Sequence, residues 1–365
     1  MNISEVTKIV LMLRLNLSQH EEFLPLKPNE LKSLFMLVES LGYSSESLLS
    51  NELNNLTDLA QEKLGISSQR IKHLLSAGLS LSLKIDQWKK RGIWVRSFMD
   101  KEYPVILKIK HRESYPSLIF GVGELNTLNI GGIGIVGSRN ANSRDLIYSE
   151  KAGIRSAEEG VKVISGGARG VDTSSMMACL NAGGTGLVIL PAELGKTALS
   201  SDYRKFIIDS RLTLISMESP DSGWTAGRAM ARNKFIYSMS KKVLVVSCNE
   251  MKGGTWNGAI ECLNKNWTEI FVKTNTDKSS AIQALIERGA YKDSDLIISD
   301  AKNLNYDLSE MLVSEISILQ GKSNGAVKSF LTKSNMSCLD YPKPKKESKK
   351  NNKEDLLSKQ QALDL

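Results

Sequence analysis

The chain has 365 residues, 41% of them hydrophobic, and 48 basic against 40 acidic residues give a formal charge of +8. This length and apolar content suffice for one sizeable core and a smaller one, and the basic balance favours acidic partners such as nucleic acid. No segment is long enough to span a membrane, and the opening stretch MNISEVTKIVLMLRLNL is broken by Lys8 and Arg14 with no small-residue cleavage site after it, so a cytoplasmic protein is expected.

Residues 1–90 repeat leucine and isoleucine at helical spacing, as in LKSLFMLVESLG and RIKHLLSAGLSLSLKIDQWKKRG, and read as a small helical domain. Ile93-Trp94-Val95 and the run SLIFGVG at 117–123 then predict short strands around a loop holding Tyr103-Pro104. From residue 132 apolar strands alternate with helices: IGIV before a helix over 145–159, VKVIS before 171–182, TGLVIL before 200–209, TLISM before 226–239, KVLVVS before 255–265, and finally EIFVK. Such alternation predicts an α/β domain over 91–276, a parallel sheet covered by helices on both faces, its strands buried on both sides. Residues 277–340 show only short amphipathic pieces. Residues 341–365 begin with a lysine-rich stretch, YPKPKKESKKNNKED, that reads as disordered and solvated. Cys179, Cys248, Cys262 and Cys338 contain no CxxC pair and sit among apolar neighbours, which predicts buried reduced thiols and no metal site.

Ligands of an open parallel sheet bind beyond the carboxyl ends of its strands, where helix N-termini offer free amides. Three strand-to-helix turns on that edge are rich in glycine and cations: Gly137-Ser138-Arg139, Ser165-Gly166-Gly167-Ala168-Arg169-Gly170 and Lys252-Gly253-Gly254-Thr255. Glycine lets a backbone approach a phosphate, serine or threonine adds a hydroxyl donor, and arginine adds a planar charged fork. The competing readings are that the glycines only close tight corners, that Arg169 and Asp172 form an internal ion pair, and that Arg232 is a solvated helix charge. Neither a P-loop nor a correctly placed GxGxxG is present.

Over Trp94–Lys273 the chain resembles the DNA-processing protein A (DprA/Smf) family. The resemblance is carried by the segment DKEYPVILKIKHRESYPSLIFGVGELNTLNIGGIGIVGSR, by VISGGARGVDTSSMMACLNAGGTGLVIL, and by ARNKFIYSMSKKVLVVSCNEMKGGT. It implies an extended Rossmann-like fold, an N-terminal helical domain of SAM or helix-hairpin-helix type, a homodimer, and no cofactor. It also implies binding of single-stranded DNA at the sheet edge, protection of that DNA, and its transfer to a RecA-type recombinase in DNA uptake, natural transformation or recombination. Carried over residue by residue, Gly137, Ser138 and Arg139, Gly166, Gly167, Arg169 and Gly170 with Asp172, and Arg232-Asn233 line the DNA pocket. The Lys252, Gly253, Gly254 and Thr255 turn completes the expected site. Departures from the family pattern are Ser174-Ser175-Met176, where the family has a histidine, and the loop PAELGKTALSSDYRKF after the third strand of the alternating series.

All three histidines, His20, His73 and His111, precede the alternating domain, so its pocket has no histidine base. A binding protein rather than an enzyme is expected. The alternatives are a sensor of a small nucleotide-derived ligand in the same pocket, or a phosphoribohydrolase-like enzyme using Glu261 in MKGGTWNGAIE, where the signature spacing is imperfect.

Overall fold

A computed structural model describes residues 3–17, 22–274 and 280–302, all within one compact unit, Met1–Val313. His20, Cys338, most of 277–340 and the whole lysine-rich tail lie outside the described residues. Five helices come first: α1 (Glu5–Arg14), α2 (Pro28–Ser40), α3 (Leu53–Leu64), α4 (Ser68–Leu75) and α5 (Gly78–Lys90). In α1 the Ser4 hydroxyl accepts from the Thr7 amide, satisfying one of the free donors of the first turn. The same helix buries Ile9, Val10, Leu11 and Leu13 completely, each contributing about 1.5–3 kcal/mol by leaving water.

The sheet region follows as β1 (Trp94–Ser97), α6 (Val105–His111), β2 (Leu118–Val122), β3 (Ile133–Val136), α7 (Ser143–Glu158), β4 (Val163–Ser165), α8 (Val171–Asn181) and β5 (Gly186–Leu190). It continues with α9 (Leu194–Thr197), α10 (Ser201–Ile208), β6 (Leu212–Ser216), α11 (Ala226–Met239), β7 (Lys242–Val245), α12 (Gly254–Lys265), β8 (Glu269–Val272), α13 (Ser280–Glu287) and β9 (Tyr291–Lys292). The nine strands form one sheet in the order β1-β2-β6-β5-β4-β3-β7-β8-β9. Helices α7 and α8 pack on each other, while α11 packs on α12 and α6, and every residue of β2 to β7 is buried. The expected α/β sheet, helix-covered on both faces, is present.

Two features depart from a purely parallel sheet ending near residue 276. β1 pairs antiparallel with β2, and β2 antiparallel with β6, so the first two strands extend the parallel sheet on one side. On the other side α13 and the two-residue β9 continue the parallel order past β8. Neither the direction of a short apolar strand nor an exposed two-residue strand leaves a periodic signal.

Asp100 fastens the helices to the sheet. Its carboxylate accepts from the Ser4 hydroxyl at 2.7 Å, from the Thr7 hydroxyl and from the Ser97 amide at 2.7 Å. A second link runs from α5: Arg91 pairs with Asp221 at 2.7 Å and the Trp88 indole donates to the same carboxylate. Asp221 belongs to the loop between β6 and α11, so the helical region grips a loop at the ligand edge of the sheet.

Candidate functional site

The chain steps outward from β3 through β4 and β5 to β6, then crosses back to place β7 on the other side of β3. Where strand order reverses in this way, the turns leaving the two central strands diverge and open a crevice at their carboxyl ends. The turns after β3 and β7 meet there with the N-terminal halves of α8 and α11 around a cavity of about 360 Å³. Thr255 closes one seam by donating its hydroxyl to the Gly137 carbonyl at 3.0 Å. Gly170, with φ +92°, closes another, since a Cβ there would lie 2.4 Å from the Ser138 carbonyl.

Ten of the expected residues line this cavity: Gly137, Ser138, Arg139, Asp172, Arg232, Asn233, Lys252, Gly253, Gly254 and Thr255. Gly166, Gly167, Arg169 and Gly170 do not line it. Arg169 is exposed and donates to the Asn140 side chain at 2.8 Å. It makes no ion pair with Asp172, whose carboxylate instead accepts from the amides of Gly166 and Ala168 at 3.2 and 3.4 Å. The third turn does not hold the cavity with its hydroxyl free, because that of Thr255 is already engaged. Ser138 accepts from the Asn140 amide at 3.1 Å and retains its proton for donation.

The charge of the cavity comes from Arg139, Arg232 and Lys252 against one carboxylate, Asp172. Arg139 and Lys252 are exposed. Arg232 is only 6% exposed, and its Nε and Nη1 are buried without a hydrogen-bond partner. Burial lowers the guanidinium to about 10, with Asp172 raising it and Arg139 lowering it. Asp172 is shifted the other way, its carboxyl raised by burial against the pull of Arg232 and the turn amides. A buried cation at the wall of a cavity, with donors that its neighbours leave unused, has already incurred its desolvation in folding, and an anion that draws the guanidinium toward the opening can supply the missing acceptors.

Gly166 serves this arginine. A Cβ at Gly166 would stand 1.5 Å from Arg232 Nη1, so the glycine makes room for the guanidinium rather than for the ligand. Glu261, the carboxylate of the enzymatic alternative, does not line the cavity and pairs with Lys265 at 2.9 Å on the surface of α12. His111 is buried beneath α11, its Nε2 2.8 Å from the Ser238 hydroxyl. Sequence reasoning missed Trp224 and Met230, which line the cavity mouth and are half exposed. The available signal was a tryptophan in the polar loop SPDSGWTAG at the carboxyl end of a parallel strand.

The sequence profile described as DNA recombination-mediator protein A matches residues 94–301. The chain belongs to that family. Curated proteins similar to this chain include Protein Smf of Synechocystis, 27% identical over 159 residues that cover 42% of this chain and 39% of the relative. DNA processing protein DprA of Streptococcus pneumoniae is 29% identical over 161 residues, 43% of this chain and 55% of the relative. The matched segment thus spans about half or less of each relative. The solved structure of the Streptococcus pneumoniae protein superposes with a TM-score of 0.58 at 19% identity, covering 80% of this chain and 95% of that one; the two share a fold. Among the described residues, no helix is long and apolar enough to cross a membrane.

Proposed function

We propose that this protein binds single-stranded DNA across the carboxyl edge of its sheet, with backbone phosphates held by Arg232, Arg139 and Lys252 and little sequence preference. The observation that carries the reading is Arg232, buried at the cavity with Nε and Nη1 lacking acceptors. Family membership supports DNA as the source of the anion. In this reading the protein acts in the cytoplasm as a homodimer without catalysis. It protects incoming or exposed strands and passes them to a RecA-type recombinase, in DNA uptake and transformation or in recombination. Two tethered pockets make the second contact intramolecular and raise avidity on longer strands.

The test is fluorescence anisotropy of an oligo-dT strand at several salt concentrations. Each phosphate neutralised contributes about −0.7 to the slope of log affinity against log salt. Arg139→Ala is expected to weaken binding and to flatten that slope by about 0.7; unchanged affinity and slope refute the assignment. The cavity volume, about 360 Å³, also lies at the lower end of the range for small-ligand sites, which favours a nucleotide sensor as the second reading. Calorimetry with AMP and ADP-ribose separates the two, since micromolar mononucleotide binding without oligomer binding selects the sensor.

A further inference from the structure

Exposed apolar side chains share the opening of the cavity with its cations. Trp224 and Met230 line it at 49% and 53% exposure, and Met251, beside Lys252, is 81% exposed. Large apolar side chains left in water around a polar pocket mark a surface that something covers. The other four tryptophans, Trp88, Trp94, Trp256 and Trp267, are all buried.

Trp224 is held rather than dangling. Its loop is anchored ahead of the tryptophan: the Glu193 amide donates to the Ser222 carbonyl at 3.0 Å, and the Gly195 amide to the Pro220 carbonyl at 3.3 Å. Arg228 donates to the Gly223 carbonyl at 2.6 Å, and Arg91 pairs with Asp221. Immediately after the tryptophan, the Thr225 hydroxyl caps α11 by accepting from the Arg228 amide at 3.1 Å. An indole is thus presented half bare at the mouth on a fixed backbone. The Arg139 guanidinium stands 5.8 Å from its ring centroid, within the range of a cation–π contact. A phosphate on Arg139 is therefore one nucleotide's reach from the indole.

We propose that Trp224 is a base-stacking platform, on which a nucleobase of the bound strand lies while the adjoining phosphate sits on Arg139 and Arg232. The proposal rests on the reading of the cavity as a strand-binding site and adds to it a contact for a base beside the contact for its phosphate. Every base has a π-face, so the platform adds affinity without sequence preference. It also distinguishes strands with accessible bases from duplex DNA, whose bases are stacked on one another.

The experiment compares the wild-type protein, Trp224→Ala and Trp224→Phe on oligo-dT and on an abasic deoxyribose-phosphate strand of the same length, at two salt concentrations, with tryptophan emission recorded. Trp224→Ala is expected to weaken oligo-dT binding about tenfold with the salt slope unchanged, because stacking releases no counterions. Trp224→Phe keeps a ring and stays within about threefold of wild type, while losing the emission quench that oligo-dT produces in wild type. The abasic strand binds wild type and Trp224→Ala alike. Equal wild-type affinity for the two strands, or unchanged oligo-dT binding by Trp224→Ala, overturns the platform and leaves the phosphate reading standing. Failure of wild type to bind either strand overturns both. Should Trp224→Ala fail to fold, the strand comparison on wild type and the quench in Trp224→Phe still decide the matter.

Discussion

Replacing Arg232 by methionine separates the two things this residue does to the protein. Its guanidinium is lowered by burial from its ordinary value to about 10; at about 1.4 kcal/mol per pH unit, keeping the charge in that place costs about 3 kcal/mol. The two buried N–H groups without acceptors give the same order, at about 1–3 kcal/mol each. Against this, Arg232→Met leaves Asp172 without its cation. That carboxyl is already raised by burial and can neutralise itself by taking a proton, and methionine fills most of the space against Gly166. The free protein is therefore expected to gain about 1–2 kcal/mol, which raises its melting temperature by about 3 °C. Oligo-dT, which stabilises wild type by mass action, should shift the variant less at the same concentration. Thermal denaturation with and without oligo-dT at low salt measures both effects. A melting temperature lowered by several degrees would show that Arg232 is a structural cation, and an undiminished response to oligo-dT would show that Arg232 holds no phosphate; either result refutes the reasoning.

The remaining expectations concern the surroundings of the site. Gly166→Ala places a Cβ on top of the Arg232 guanidinium and should lower oligo-dT affinity by about tenfold or more, measured by anisotropy on protein whose circular dichroism is unchanged. Asp100→Ala removes the acceptor shared by Ser4, Thr7 and Ser97 and should cost about 2–3 kcal/mol in urea denaturation. His111 is lowered to about 3 by burial and by Lys234, Lys265 and Lys110, so it stays neutral in the fold while the unfolded chain takes up a proton below about 6.5. Its contribution is present above pH 6.5 and is lost as pH falls towards 3, at up to about 1.4 kcal/mol per pH unit. His111→Gln should flatten that decline in denaturation midpoint, and an unchanged profile would place the acid sensitivity in other groups.

The central strands were legible because burial on both faces leaves uniformly apolar runs such as TGLVIL, and the helices between them because their turns begin with glycine and small polar residues. Strand direction was not legible: β2 is as apolar as β5, and only pairing distinguishes an antiparallel extension from another parallel strand. Within the site, Arg139 and Lys252 could be named because a cation in a turn after a strand must stand at the ligand edge. Arg232 came only through the family pattern, since one arginine on a helix reads as solvated. Its burial follows from sharing a face of α11 with Ala229 and Ile236, at three- and four-residue spacing, which the sequence contains but which gains meaning only once that face is known to point inward. The glycines divide: some open the cavity, while Gly166 and Gly170 bring the protein's own groups together, and no local pattern separates the two uses.

The contact of Trp88 and Arg91 with Asp221 changes where the working unit begins. The family match starts at residue 94, which invites a construction that discards everything before it and keeps the sheet. Such a fragment retains every cation of the cavity yet loses two of the bonds that steady the loop carrying Trp224. The portable unit of this protein is therefore longer than its recognisable one, and α5 travels with the sheet as part of the tool rather than as the handle.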